Sequence, residues 1–178
     1  SGDSAYLNRT PASAGNRRTW TWSAWVKKAN TGVERVLFNA HNSSDTYTRI
    51  RYVNTDQFQV YMRIGSGTNY YIRTNGKHRD HSAWYHLVVA VDTTQATAAD
   101  RVKLYVNGVE ATLDQTIYPA QNGETAINST LQHSIGSDYG SNNFDGQMAD
   151  IQLVDGLQLA PTDFGETRSS DGVWVPKE

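Results

Sequence analysis

An all-β domain, a sandwich or barrel of short antiparallel strands, is the fold class this sequence predicts. Three observations carry that reading. Apolar and polar residues alternate with period two along most of the chain. Turn-forming residues recur at roughly 8–12-residue intervals. No stretch keeps the helical period long enough for an extended amphipathic helix. The 178 residues suit one domain, and a chain of this size buries roughly 70% of its unfolded surface. The core therefore needs no disulfide, and there is no cysteine to make one. A hydrophobic fraction of 38% is low for a thick core, but ten Tyr and five Trp supply large apolar area, as in a thin sandwich.

Residues 19–28 (TWTWSAWVKK) give the clearest strand, with Trp20, Trp22, Ala24 and Val26 on one face and Thr21, Ser23 and Trp25 on the other. Residues 34–41 follow. Segments 47–53 and 57–64 are joined at Asn54-Thr55-Asp56, a hairpin by length and composition. In the second of these, Phe58, Val60, Met62 and Ile64 point one way and Gln59, Tyr61 and Arg63 the other. Gly65-Ser66-Gly67 turns the chain into 69–73. Segment 83–92 is the most apolar and is expected at the centre of a sheet, with Trp84, Leu87, Val89 and Val91 in the core. Segments 101–106 and 109–113 flank Asn107-Gly108, the strongest short hairpin signal in the chain. Segments 131–136 and 144–154 close the set. Brief helical turns are expected within 93–100 and at Pro161-Thr162-Asp163-Phe164. Residues 171–178 read as an extended exit, and the chain as a single domain.

Several of these segments, in this order, carry a family likeness. They are TWSAWVKK (21–28), WYHLVVAVD (84–92), KLYVNGVE (103–110), IGSD (135–138) and FDGQMADIQLVDG (144–156). The chain resembles the laminin-G-like branch of the concanavalin A-like lectin/glucanase superfamily. Its tail, PTDFGETRSSDGVWVPKE, and YLNRTP near the start are similar to the borders of such domains in bacteriophage tail and fibre proteins. The resemblance implies a two-sheet antiparallel jelly roll with one concave face. It also implies a carbohydrate or protein ligand, a virion or extracellular location, homo-oligomerisation in the full-length protein and a structural calcium. For calcium it points to Asp150 in the final strand, with Asp3 as the available partner at the N-terminal edge.

Net charge is −2 and the pI is near 6.2, so the basic excess of a nucleic-acid domain is missing. No apolar run approaches the roughly 20 residues of a membrane span. The glucanases of the superfamily carry an E-x-D-x-x-E strand, and no such segment occurs here. Asp145/Asp150 and Asp150/Asp155 have odd spacings, which put the members on opposite faces of a regular strand. No enzyme is expected. His78-x-x-His81 reads as a solvated polar loop rather than a metal site, and His81-Ser82 as sequence neighbours rather than a dyad.

Two surfaces are candidates for a ligand. Period two places Arg49, Arg51, Tyr61, Arg63, Tyr71 and Arg73 on the non-core faces of three strands. If those strands are neighbours they make a Tyr/Arg patch. Aromatic rings stack on the C–H faces of sugars, and arginine forks donate paired hydrogen bonds to hydroxyls or carboxylates, which favours an acidic glycan. The second candidate is the loop 137–145, with Asp138, Tyr139, Asn142 and Asn143. The bland readings are ordinary exposed strand residues for the patch and turn-favouring residues for the loop.

Overall fold

The computed structural model describes residues 5–41, 45–65, 67–138 and 140–177. The strands are β1 (Leu7–Arg9), β2 (Thr19–Lys28), β3 (Arg35–His41), β4 (Tyr47–Tyr52), β5 (Gln57–Arg63), β6 (Asn69–Lys77), β7 (Tyr85–Asp92), β8 (Val102–Val106), β9 (Val109–Glu110), β10 (Leu113–Ile117), β11 (Gln132–Ile135), β12 (Gly146–Asp155), β13 (Gly165–Thr167) and β14 (Trp174–Pro176). Single 3₁₀ turns occupy Ala98–Asp100 and Pro161–Asp163, where helical turns were expected. One sheet has seven strands in the order β1-β11-β3-β4-β5-β6-β10, and the other five in the order β12-β2-β7-β8-β9. All pairings between these strands are antiparallel.

The core lies between the sheets. Trp20, Trp22, Ala24 and Val26 of β2 and Leu87, Val89 and Val91 of β7 are fully buried against Ile50, Phe58, Val60, Met62 and Ile72 of the larger sheet. β7 is the middle strand of five, as its apolar run predicts. The Asn107-Gly108 hairpin forms with φ of 50° and 82°, the left-handed pair that this dipeptide tolerates. Trp84 corrects the expected core. It precedes β7 and is 39% exposed, whereas the core side of that strand is made by Tyr85, Leu87, Val89 and Val91.

The tail is a second correction. Rather than leading away, β14 pairs with β13 and folds back on the five-stranded sheet. The turn before it docks through Thr21, whose hydroxyl donates to the Leu157 carbonyl (2.7 Å) and accepts from the Leu159 amide (2.8 Å). Trp174 Nε1–H donates to His86 Nδ1 at 3.1 Å. That makes Nδ1 an acceptor, so neutral His86 keeps its proton on Nε2 and donates it to Ser23 Oγ at 2.9 Å. This cover explains why Thr21, Ser23 and Trp25, on the face opposite the core, are buried too. Ser23 and His86 touch, but both are buried beneath the tail, and Trp174 rather than a carboxylate holds the second ring nitrogen, so the pair lacks the geometry of a triad.

The Trp174 ring lies directly on Gly165, where an added Cβ would sit 2.6 Å from Cζ2. Gly165→Ala is therefore expected to push the ring off His86 and to cost roughly 1–3 kcal/mol. Faster amide exchange confined to the β13–β14 hairpin and the outer face of β2 is the readout; unchanged exchange there removes the tail from the account of stability.

Candidate functional site

Cross-strand register turns the sequence's Tyr/Arg residues into a single lattice on the outer face of the seven-stranded sheet. β4, β5 and β6 are neighbours. One row runs Asn8–Ser134–Asn39–Arg49–Tyr61–Tyr71–Ile117 across all seven strands. The row on one side is Gln132–His41–Tyr47–Arg63–Asn69. The row on the other is Val36–Arg51–Gln59–Arg73–Gln115. Residues in register on one face lie about 4.5–5.5 Å apart at Cβ, so the Arg and Tyr side chains interleave.

The contacts bear this out. The Arg49 guanidinium sits 4.5 Å from the Tyr47 ring centroid and that of Arg51 4.7 Å from Tyr61. The Tyr47 and Tyr61 rings meet at 5.3 Å. Burial and a hydrogen bond with Tyr47 push the Tyr61 phenol above its usual pKa, with the Arg51 and Arg49 charges opposing. Arg51 is clamped by Gln59 Oε1 (3.0 and 2.8 Å) and Glu34 (2.7 Å), and Arg73 by Asp114 (2.9 and 3.0 Å). The Arg73 hydrogen bond holds the Asp114 carboxyl below its ordinary value. Arg63 has no carboxylate or hydrogen-bond partner among the described residues, and its Nε is buried.

The loop at 137–145 and the sheet face are one surface. Asp138 is 7% exposed, accepts from Asn39 Nδ2 (3.1 Å) and pairs with Arg49 (3.2 Å). Asn39 Nδ2 also donates to the Ser137 carbonyl (2.9 Å). The Val36 amide donates to the Asn142 carbonyl (3.0 Å). The loop is thereby pinned over β11 and β3, leaving β4 to β6 as the open half. Asp138 is thus the pin that ties the loop to Asn39 and Arg49. Asn142 is exposed with φ of 47°. Asn143 is half-buried with Oδ1 unpartnered among the described residues. Tyr139 lies outside the described residues. Asn39 and Ser134, which complete the central row, were not singled out in the sequence; their period-two position on short strands was the signal, but only the pairing of β11 with β3 makes it visible.

The calcium pair falls partly outside the described residues. Asp3 lies outside them, and no group of three or more His, Asp or Glu gathers to hold an ion. Asp150 is exposed at an irregularity of β12 between Ala149 and Gln152, with φ of 48°, so it bears no burial penalty that a metal would have to relieve. The same irregularity removes the regular-strand geometry behind the odd-spacing argument for the aspartates. Their contacts separate them instead: Asp145 accepts from Asn30 Nδ2 (3.0 Å), and Asp155 from the Asn16 amide (2.7 Å) and Asn128 Nδ2 (2.9 Å). His78 is also not in a solvated loop. It is 6% exposed, stacked on Tyr85 at 4.6 Å and hydrogen-bonded through Nδ1 to the Tyr52 hydroxyl at 3.0 Å.

A family model described as the concanavalin A-like lectin/glucanases superfamily, Laminin_G_3, matches residues 1–160. The chain belongs to this superfamily. A comparison with curated proteins found no match. Among solved structures, this superfamily domain is similar to domain 4 of AbnA, a GH43 extracellular arabinanase from Geobacillus stearothermophilus, in complex with arabinotriose. The TM-score is 0.60 and the identity 21%; the match covers 81% of this chain and 64% of that one, so this chain spans under two thirds of that structure. It is similar to the CBM40 of the Ruminococcus gnavus IT-sialidase, with a TM-score of 0.59, 13% identity and coverage of 88% and 95%. It is also similar to part of a mutant NanB sialidase from Streptococcus pneumoniae, with a TM-score of 0.62, 15% identity and coverage of 95% and 28%. At these identities the likeness is one of fold: the jelly-roll sandwich.

Proposed function

We propose that the domain is a non-catalytic glycan-binding module of an extracellular or virion surface protein, of the kind found in phage tails and fibres. The open half of the seven-stranded sheet, with the 140–144 segment at its side, is the binding face. The observation that carries this reading is the Arg49–Tyr61–Tyr71 row flanked by Arg63. It combines aromatic surface for sugar C–H faces with a guanidinium that no carboxylate neutralises among the described residues. Uncompensated Arg63 favours a uronate, sulfate or other acidic glycan. The structures of carbohydrate-binding domains among the relatives support the class of ligand.

A glycan array of the purified domain, run with calcium and again with chelator, tests the proposal. The expected result is binding to an acidic class, reduced at least roughly tenfold by Tyr61→Ala and by Arg63→Ala. Retention in chelator places recognition on the side chains; loss assigns a share to calcium near Asp150. A blank array under both conditions sinks the lectin reading, since dense display raises avidity even for weak sites.

A structural or protein-interaction module is the second reading. It is favoured by the fact that Arg49, Arg51 and Arg73 already have carboxylate partners within the protein. A homo-oligomer that buries this face, seen by light scattering and broken by Tyr71→Glu, is its expected signature.

A further inference from the structure

Among the described residues the two sheets do not close on one side. On the larger sheet the core-facing row Phe38–Ile135–Leu7 runs out to the β1 edge, and on the smaller sheet Trp22–Leu153 runs out to the β12 edge. Trp22 and Phe38 still touch, ring to ring at 6.3 Å. Beyond them Leu7 and Leu153 point toward the core side of their sheets yet are 69% and 38% exposed. The gap is a cleft of about 590 Å³ lined from both sheets, with Asn8, Arg9, Asn128, His133 and Asp155 as polar residues at its rim and walls and Asp155 already accepting from Asn16 and Asn128. That volume lies in the range of small-molecule sites, about 300–1,000 Å³.

A second observation points to what would fill it. Trp20 and Trp22 sit two residues apart on the same core face, both fully buried. Trp20 Nε1–H donates to Thr125 Oγ1 at 2.9 Å. Trp22 Nε1–H, whose ring lines the cleft, has no acceptor among the described residues. A buried donor without an acceptor is unfavourable, and an oxygen pressed from the cleft against the Trp22 indole edge would satisfy it.

We propose that this cleft is a binding site for an uncharged, mainly apolar ring or chain molecule carrying one carbonyl or hydroxyl oxygen. The apolar body packs between Phe38, Ile135, Ile151 and Leu153, and the oxygen accepts from Trp22 Nε1–H. The site is separate from the Arg/Tyr face, since Leu7, Phe38, His133 and Ile135 line the cleft from the inward side of the sheet whose outer face carries that lattice, and Asn8 at the β1 edge is the lining residue that the two share.

The test uses the solvatochromic naphthalene ketone prodan as the probe, with dimethylaminonaphthalene, the same ring without the ketone, as its control. Prodan is expected to bind saturably, one to one, with blue-shifted emission, and the control to bind about tenfold more weakly. The Trp22 indole N–H resonance, assigned by its loss in Trp22→Phe, moves downfield with prodan and stays with the control. Leu153→Trp fills the mouth and abolishes binding, while Tyr61→Ala leaves it unchanged, which separates this site from the glycan face. If Leu153→Trp fails to fold, Trp22→Phe serves alone: it brings prodan down to the affinity of the control. Absence of saturable binding overturns the proposal. So does binding that survives Leu153→Trp, or a Trp22 resonance that prodan does not move.

Discussion

Replacing Asp56 with asparagine is expected to lower the unfolding free energy by about 3–5 kcal/mol and the melting temperature by roughly 10 °C. Asp56 closes the β4–β5 hairpin with φ of 68°, a conformation that asparagine tolerates, so the substitution isolates the charge from the backbone. The carboxylate is 2% exposed. It pairs with the equally buried Lys28 ammonium at 2.9 Å and accepts from the Gly32 amide at 2.9 Å and Arg79 Nε at 2.9 Å. Lys28 also donates to the His78 carbonyl (3.1 Å) and lies 4.4 Å from the Tyr52 ring centroid. Removing one charge leaves the other in the interior without its counter-ion, and that uncompensated charge is the source of the large effect. Lys28→Met should be less damaging, because Arg79 stays beside the Asp56 carboxylate, and the double variant less damaging than the sum of the two. Denaturant melts of the three variants check this. Strict additivity, or a loss under 1 kcal/mol for Asp56→Asn, would falsify the account.

Acid should unfold the protein well before Asp56 is protonated. Burial holds His86 down to about 4, with the Asp150 charge opposing, and His78 down to about 4, with Lys28 adding and Asp56 opposing. His133 is lowered by burial as well, its backbone bond to Leu131 opposing. Each titrates near 6.5 in the unfolded chain. Between pH 6.5 and 4 the unfolded state therefore binds protons that the folded state refuses, and stability falls as pH falls. His78 and His86 should each contribute roughly 2–4 kcal/mol of loss across that window. Desolvation raises the Asp56 carboxyl, but bonds from Lys28, Gly32 and Arg79 outweigh it and bring it to about 2. Its contribution is full above the ordinary carboxylate value and is lost only as pH drops toward 2, so the two effects occupy different windows. Protonation of His86 at Nδ1 also removes the acceptor for Trp174, so the tail hairpin should loosen first. Urea melts from pH 7 to 4 should show this slope, flattened in His78→Gln/His86→Gln. An unflattened slope in that variant would transfer the effect to other groups.

Local sequence determined which residues share a face. Side chains alternate strictly along a strand, so Tyr61 and Arg63 had to lie opposite Val60 and Met62, and Trp20 and Trp22 had to lie together. Hairpin chemistry did the same for chain reversals at Asn54–Asp56 and Asn107-Gly108, because Asn, Asp and Gly adopt the required positive φ most readily. The family motifs along the chain added the sandwich itself. What alternation does not encode is which distant strand lies alongside. The pairing of β11 with β3, about a hundred residues away, brought Ser134 and Asn39 into the Arg49–Tyr61–Tyr71 row and set Asp138 down on Arg49. The irregularity at Asp150 reset the parity of β12, where a regular strand was assumed. The fold-back of the tail buried His86, and the packing of the hairpin turn against β2 buried Lys28 and Asp56. These are burial outcomes, decided by what covers a residue. A sequence specifies a residue's side of its own strand; only the assembled sheets decide whether that side meets water, another sheet or the end of the same chain.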